Sequence, residues 1–585
     1  MNHIKFDGVY YPVRPVSDLR DMVNKSAELY ADRAAYLQKD KPGGTFQPVS
    51  YKRFKDEMDA FGTRLIDLGL KDKKIIVVGE TCYQWILTYF AVVNGVGAIV
   101  PLDKNLPTGE MKSLVERSGA SAIVYTKRME KGLKEIFAEK YNLECLISIG
   151  PEEHHEGVLS FSQLIKEGEE LLREGIREYV DADIDSDQMA TLMFTSGTTG
   201  MSKGVMLSHK NIAANVYNMS KLVKVEKNDV VLSILPIHHA YEFTCSVCTT
   251  FYQGGTIAVC EGLKYIQKNM NEVKANIMLG VPLVFEKFYA GIWKQAAKQG
   301  QEEKLRSALA LSKKMKLWKN PKLMHKMFGS IHHNFGGGIK LFIAGGAAID
   351  PKVIEDFEAM GFPMIQGYGM SECAPIIAVN QDRYSKAASV GKPMPGTEVK
   401  IMNPDEDGVG EVVCKSDSVM LGYYENEEET AKVLQDGWLH TGDLGYFDKD
   451  GFLYLTGRKK TVIVTKGGKN IFPEEIETVL LENELIQEVI VYGKEDKKVG
   501  NVMVTADIFP NYNLLKEQKG DLSGSDVYHF YKELVEEANK KMPSYKAVKR
   551  VNIRDKEFDK TTTGKIKRYG NVQADAPEEE KETSQ

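Results

Sequence analysis

Along the first third of the chain, apolar positions switch repeatedly between helical spacing and short unbroken runs. The pattern predicts a helix over residues 51–68 before a strand at 74–79, a helix near 85–93 before a strand at 98–102, and a helix near 109–118 before a strand at 120–125. Residues 85–102 approach membrane-spanning length, but Asn94, Gly95, Gly97 and Pro101 interrupt them, so they read as helix, turn and strand. The alternation resumes after a Gly/Thr-rich loop at 195–204, with strands expected at 230–233, 256–259, 275–279, 340–344 and 363–366. Repeated alternation of this kind predicts a large, doubly wound, mostly parallel α/β domain over residues 1–456.

The pattern changes after Glu398. Short strands at 399–402, 410–415 and 451–456, separated by turns such as Asp407-Gly408 and Asp450-Gly451, predict a β-rich subdomain over 398–456. Residues 457–460, Gly-Arg-Lys-Lys, read as a hinge to a smaller, mobile α+β C-terminal domain at 461–570. Residues 571–585, with Glu578, Glu579 and Glu580, form an acidic tail expected to be disordered.

Composition narrows the function classes. Hydrophobic residues at 43% and charged residues at 27% describe an ordinary globular chain, and a net charge of −6 gives no support to a nucleic-acid partner. Seven cysteines, an odd number, with no secretory leader at the start, predict reduced thiols and a cytoplasmic location. Cys245 and Cys248 form a lone C-x-x-C without a second ligand pair, which reads as two small buried residues.

The strongest local signal is Thr195-Ser196-Gly197-Thr198-Thr199-Gly200-Met201-Ser202-Lys203-Gly204, set between two apolar runs. Glycines let backbone N–H groups converge on an anion, hydroxyls donate further hydrogen bonds, and Lys203 adds a positive charge, which together suit a polyphosphate. The spacing is not that of the P-loop G-x-x-x-x-G-K-[ST], because Lys203 precedes Gly204. A polar hairpin turn would explain the glycines but not the density of hydroxyls.

That loop resembles the signature of the adenylate-forming superfamily of acyl-CoA synthetases, carrier-protein adenylation domains and luciferases. The resemblance is carried also by Gly367-Tyr368-Gly369-Met370-Ser371-Glu372, by His440-Thr441-Gly442-Asp443-Leu444, by Gly457-Arg458 and by Thr563-Gly564-Lys565, all in the family's order. It spans residues 15–568. Residues 235–242, Leu-Pro-Ile-His-His-Ala-Tyr-Glu, and the stretch 559–568 are most similar to the long-chain fatty acyl-CoA synthetase branch. Ser202 in place of a proline, Ser416-Asp417-Ser418 in place of a Gly-Pro turn, and no proline before the final lysine motif depart from that pattern.

The resemblance implies ATP, Mg²⁺ and CoA as the small molecules handled with a carboxylic acid. It implies phosphate binding by Thr195, Ser196, Gly197, Thr198, Thr199, Gly200 and Lys203, and Mg²⁺ binding by Glu372 with Thr198. Nucleotide contacts are implied for Gln366, Gly367, Tyr368, Gly369 and Ser371, with Asp443 on the ribose and Arg458 nearby. Tyr368 offers a flat face for adenine, and Glu372 is a hard oxygen donor. His239 aligns with the family histidine beside the acyl carboxylate; a satisfied structural histidine is the alternative for it, and more so for His238. Gly346 and Ala347 match the loop between nucleotide and acyl pockets, where small residues permit close ligand approach. Lys565 matches the lysine that bridges carboxylate and phosphate, Lys460 matches the hinge position, and Gly467 and Gly468 match the pantetheine channel.

The implied reaction is ATP-dependent, AMP-forming ligation of a medium- or long-chain fatty acid to CoA. Transfer to carrier-protein phosphopantetheine and an aryl-acid substrate are its rivals, and a catalytically silent acyl-nucleotide sensor is a reading of a different class. Residues 287–326, rich in lysine and interleaved with Leu, Met and Trp318, suit either a basic amphipathic helix in peripheral contact with a membrane or a solvated helical face.

Overall fold

The computed structural model describes residues 10–138, 143–154, 157–195, 202–464, 470–496, 501–560, 566–568 and 571. The loop tip 196–201, Gly467, Gly468 and Lys565 lie outside the described residues.

Two large sheets organise the N-terminal part. The nine-stranded sheet has a parallel centre made by Met364–Gly369, Leu341–Ala344, Ile277–Gly280, Val230–Ser233, Thr256–Val259 and Ala34–Lys39 in that order. The eight-stranded sheet is parallel from Met189–Thr195 through Gly97–Leu102, Lys73–Val78, Ala122–Thr126 and Cys145–Ile149 to Val158–Ser160. Antiparallel additions finish its other edge, where Lys203–Ser208 pairs with Met189–Thr195 and with Gly422–Tyr423.

Side chains alternate across a strand, so each sheet must be covered twice. Ile75 and Val77 face one core while Ile76 and Val78 face another; Ile257 and Val259 join the first of these, and Ala258 points away from it. One helical layer thus lies between the sheets and serves both. It holds helices Leu19–Tyr30, Tyr51–Asp67, Tyr83–Ala91 and His209–Ser220, with the π-helical segment Tyr241–Cys248, whose Phe243 packs against Tyr89 and Trp85. The apolar stretch at 85–102 divides as its interruptions predict, into helix Tyr83–Ala91, a turn at Val92–Val96 and strand Gly97–Leu102. Cys245 and Cys248 are both buried on the π-helical segment.

After residue 398 the strands Glu398–Met402, Gly410–Lys415, Trp438–Phe447 and Leu453–Arg458, with the short Leu434–Gln435, make a five-stranded antiparallel sheet. The smaller C-terminal domain has its own apolar core, built on Ile486–Asp496, Asn501–Pro510 and Arg550–Ile553 and covered by Pro473–Leu481 and Gly524–Asn539. The lysine-rich segment is three helices rather than one, Pro282–Lys298, Glu302–Met315 and Pro321–Met327, broken at Gly300 and again before Pro321. Among the described residues no helix is long and apolar enough to cross a membrane.

One close backbone approach shapes the end of strand Met364–Gly369. A Cβ on Gly369 would lie 2.0 Å from the Pro375 carbonyl oxygen, so only glycine lets the chain fold back to form the turn Ser371–Cys373. Gly369→Ala is expected to cost about 1–3 kcal/mol, the scale of overpacking. Chemical denaturation of the folded protein measures it, and a variant as stable as the parent would show that the turn can relax.

Candidate active site

A cavity of about 190 Å³ opens where the central strands of the nine-stranded sheet end. This is where parallel sheets commonly bind ligands, because side chains and helix starts converge beyond the carboxyl ends of the strands. Its apolar wall comes from Met219, Leu235, Val281, Ile343, Ile376 and Val379. His239, Gly346, Gly367, Gly369 and Ser371 also line it. Gly346 adopts φ +83°, and a Cβ on Gly345 would strike the Tyr241 ring at 2.7 Å, so the loop after Leu341–Ala344 stays thin at the cavity. Ala347 is on the exposed side of that loop.

A second group stands on the strand that leads to the cavity. Tyr368, almost fully buried, donates its hydroxyl to Asp443 Oδ2 at 2.7 Å. Arg458 Nε reaches Asp443 Oδ1 at 3.0 Å, and the two residues are cross-strand partners in the hairpin joining Trp438–Phe447 to Leu453–Arg458. Burial, and next the Asp443 charge, push the Tyr368 phenol well above its ordinary value, so it stays a donor. A carboxylate has about four acceptor directions, so Asp443 retains capacity for a ligand diol after these two contacts. Gln366, earlier on the same strand, donates to the Ala387 carbonyl at 2.6 Å.

The third group carries charge. Thr195 and Lys203 are the last pair in register before the hairpin tip. Lys203 is ion-paired with Glu429 and sits 4.8 Å from the centre of the Tyr423 ring. The Tyr423 hydroxyl donates to Glu372 Oε1 at 2.8 Å. One tyrosine therefore stands between the loop lysine and the carboxylate of the 371–373 turn. Glu429 is held at about 2, well below the usual carboxylate range, by hydrogen bonds from Lys203 and Lys432. Among the described residues no three His, Cys, Asp or Glu side chains gather into a metal-binding group. A single hard carboxylate such as Glu372 suits Mg²⁺, which keeps most of its ligands as water and substrate phosphate.

His238 and His239 stack at 4.1 Å between ring centres, and burial lowers both below the ordinary histidine range. His238 lies 3.8 Å from Asp103, whereas His239 is the one on the cavity wall. Lys460 is exposed two residues beyond Arg458. Of the residues expected from the sequence, the fold thus gathers His239, Gly346, Gly367, Gly369 and Ser371 on one cavity, joins Tyr368 to Asp443 and Arg458, and links Lys203 to Glu372 through Tyr423.

Sequence reasoning gave no role to Tyr423, Glu429, Tyr241 or Glu242. Glu242, next to Tyr241 at the cavity, is fully buried, and its Oε1 accepts from the Ser233 hydroxyl at 2.5 Å. Burial without a cation pushes its carboxyl up to about 7. Only the motif at 235–242 hinted at it.

Residues 23–424 match the AMP-binding enzyme family, and residues 475–565 match the AMP-binding enzyme C-terminal domain. The chain belongs to the AMP-binding enzyme family. It is 28% identical over 562 residues to a chloroplastic long-chain-fatty-acid–[acyl-carrier-protein] ligase of Arabidopsis thaliana, covering 83% of this chain and 76% of that one. It is 25% identical to a long-chain-fatty-acid–CoA ligase of Salmonella typhimurium over 94% of this chain and 93% of the relative. Solved structures share the fold. The anthranilate CoA ligase AuaEII in complex with anthranoyl-AMP superposes with a TM-score of 0.73 at 19% identity, over 96% of both chains. ATP-bound MatB from Rhodopseudomonas palustris gives 0.71 at 22%, over 93% and 97%.

The Glu242 carboxyl sets a pH dependence. The native state keeps a proton there that the unfolded chain releases above about pH 4.3, so this group's contribution to stability falls as pH rises from about 4.3 to about 7. Relative to Glu242→Gln, the parent protein should lose up to about 3 kcal/mol between about pH 5 and pH 8. Urea midpoints of both proteins at the two pH values test this, and a constant difference would mean that the carboxyl ionises freely.

Proposed function

We propose that the protein is an ATP-dependent, AMP-forming acid–thiol ligase that activates a medium- or long-chain aliphatic acid as its acyl-adenylate and passes the acyl group to CoA. The observation that carries the reading is the apolar cavity whose wall also holds His239, Gly346, Gly367, Gly369 and Ser371, in a chain of the AMP-binding enzyme family. In this reading the acid's chain lies against Leu235, Val281 and Ile343, and burying its methylenes supplies the affinity. Neutral His239 and the Ser371 hydroxyl position the carboxylate without trapping it in an ion pair.

Tyr368 stacks on adenine, and Asp443 accepts the ribose hydroxyls with Arg458 beside it; Gln366, Gly367 and Gly369 shape the floor beneath. Gly346 and Ala347 separate nucleotide from acyl chain. Lys203, with Thr195, Ser196, Gly197, Thr198, Thr199 and Gly200, holds the outer phosphates. Glu372, with Thr198, would hold Mg²⁺, which supplies neutralisation of phosphate charge when bound. A carboxylate oxygen attacks the α-phosphorus, pyrophosphate leaves, and Lys565 stabilises the charge that develops. The CoA thiol then attacks the acyl carbonyl, AMP leaves, and Gly467 and Gly468 make room for pantetheine. No side chain becomes a covalent nucleophile, so positioning and electrostatics supply the rate. The segment 457–460, including Lys460, is the hinge about which the C-terminal domain turns between the two steps. A carrier-protein thiol is the second reading for the acceptor, favoured by the likeness to the Arabidopsis thaliana ligase.

A panel of acids read by pyrophosphate release, with and without CoA, tests the reading, and ADP and phosphate as products would refute it. Lys565→Ala should slow adenylate formation by about two to three orders of magnitude while sparing conversion of supplied acyl-adenylate to acyl-CoA. Gly468→Leu should do the reverse, and equal loss in both half-reactions for either variant would remove the case for a turning C-terminal domain.

The helix Glu302–Met315 adds a surface reading. Leu311 and Met315 are exposed four residues apart, with Lys314 and Lys316 beside them, the pattern of a peripheral contact with an anionic membrane. Anionic liposomes are expected to bind the protein in a salt-sensitive manner. Absence of cosedimentation at low salt would make this a solvated face.

A further inference from the structure

The lysine at the hairpin tip has an anionic partner before any phosphate arrives. Lys203 begins strand Lys203–Ser208 opposite Thr195, and Arg117 donates to the neighbouring Ser202 carbonyl at 2.8 Å, so the backbone there is held. The Lys203 ammonium is ion-paired with Glu429 Oε2 and rests over the Tyr423 ring. The Lys203 side chain is 15% exposed and that of Glu429 27%, so an ion from solution can reach the pair. Glu429 belongs to the short helix Glu427–Val433, where its N–H donates to the Asn426 side chain at 3.1 Å. The next residue, Thr430, accepts at its hydroxyl from the Tyr423 N–H at 2.8 Å. The carboxylate thus stands on a backbone tied to the same tyrosine that supports the lysine. Its other oxygen, Oε1, has a cation of its own in Lys432, at 2.7 Å. Because the two lysines hold different oxygens, Lys203 can leave without stranding the carboxylate. Hydrogen bonds from both keep Glu429 ionised down to about pH 2, so it competes for Lys203 at any working pH.

We propose that Glu429 is a positioning residue that holds the Lys203 ammonium between turnovers and takes it back from pyrophosphate once the adenylate has formed, which speeds release of that product. The inference rests on the acyl-activating reading above, in which Lys203 meets the outer phosphates. A phosphate that takes the ammonium does so at the expense of the Glu429 contact. Cleavage between the α and β phosphates leaves new charge on the β-phosphate, so pyrophosphate would hold an unpaired lysine more tightly than the same groups do within ATP. A carboxylate within reach offsets that gain. Lys432 sets the balance: it neutralises Glu429 while phosphate is bound, and by sharing the carboxylate it loosens the grip on Lys203.

The test measures the KM for ATP and the inhibition constant of added pyrophosphate, both by AMP formation, in the parent, Glu429→Gln, Lys432→Met and the double variant. Glu429→Gln is expected to lower both constants by about threefold or more, the scale of one partly exposed ion pair. Lys432→Met should raise both in the parent and leave them nearly unchanged when residue 429 is already glutamine, because Lys432 acts through the carboxylate. Thermal melting establishes that each variant is folded; if the Gln variant is not, Glu429→Asp, whose shorter side chain loosens the pair, should lower both constants by a smaller factor and decides in its place. Constants that stay the same or rise on loss of the Glu429 contact, or a Lys432→Met effect of equal size in both backgrounds, overturn the proposal and leave the pair as a support for the helix. AMP formation with unaltered constants removes this inference alone, whereas no AMP from any acid removes the acyl-activating reading with it.

Discussion

Two sheets that are each apolar on both faces need four covering surfaces, and this chain supplies two of them with a single helical layer shared between the sheets. Val77 of one sheet and Ile257 of the other belong to the same core, whereas Ile76 and Ala258 face outward to separate ones. Sharing the layer fixes the sheets against each other, so the ends of the strands can act as rigid supports for chemistry. The cavity forms where the strands Leu341–Ala344 and Met364–Gly369 run out into glycines. At Gly345 and Gly369 the reason is steric: Tyr241 and the Pro375 carbonyl occupy the space a side chain would need.

The charged part of the site is also built before any substrate enters. Lys203 and Glu372 lie on either side of Tyr423, one held through the ring face and the other through the hydroxyl, while Glu429 neutralises Lys203. A phosphate arriving at Lys203 would replace one anionic partner by another, so the lysine need not be desolvated afresh, and preorganisation of this kind reduces the reorganisation that accompanies reaction. Glu429 is also paired with Lys432, so it keeps a cation after Lys203 is taken from it.

Much of the fold was legible because buried parallel strands are short apolar runs bounded by turn residues. The expected strands at 230–233, 256–259 and 410–415 coincide with those observed, and others shift by a residue or two where Lys340 or Gly451 lies outside the ladder. Strand Trp438–Phe447 was hidden, because its middle, His440-Thr441-Gly442-Asp443, is polar: His440 pairs with Glu411, Thr441 donates to the Val412 carbonyl and Asp443 accepts from Tyr368, so no apolar run marks it. The motif residues were legible individually, but their partnerships were not. Tyr368 meets Asp443 across 75 positions of sequence and Lys203 meets Glu429 across 226, and neither pairing leaves a local pattern. Glu242 was legible only as the last residue of the motif at 235–242, and its burial, which raises its carboxyl, leaves no local pattern in the sequence.

The hairpin joining Trp438–Phe447 to Leu453–Arg458 connects the Tyr368–Asp443 pair to the segment that leads into the C-terminal part of the chain. Asp443 and Arg458 are opposite one another in the ladder, and the Lys459 backbone N–H donates to the Gly442 carbonyl at 2.9 Å. The Lys459 ammonium also reaches Glu411 at 2.9 Å, beside His440. Anything that repositions the Asp443 carboxylate therefore acts on Arg458 directly and on Lys459 through the adjoining backbone, immediately before the chain enters the C-terminal domain. Coupling over so short a path needs no network through the core. In the proposed reading, a ribose bound at Asp443 would compete with the contact that anchors Arg458, and withdrawal of Arg458 would leave Asp443 its bond from the Tyr368 hydroxyl. If both events occur as proposed, linkage would make each favour the other through this one cross-strand pair.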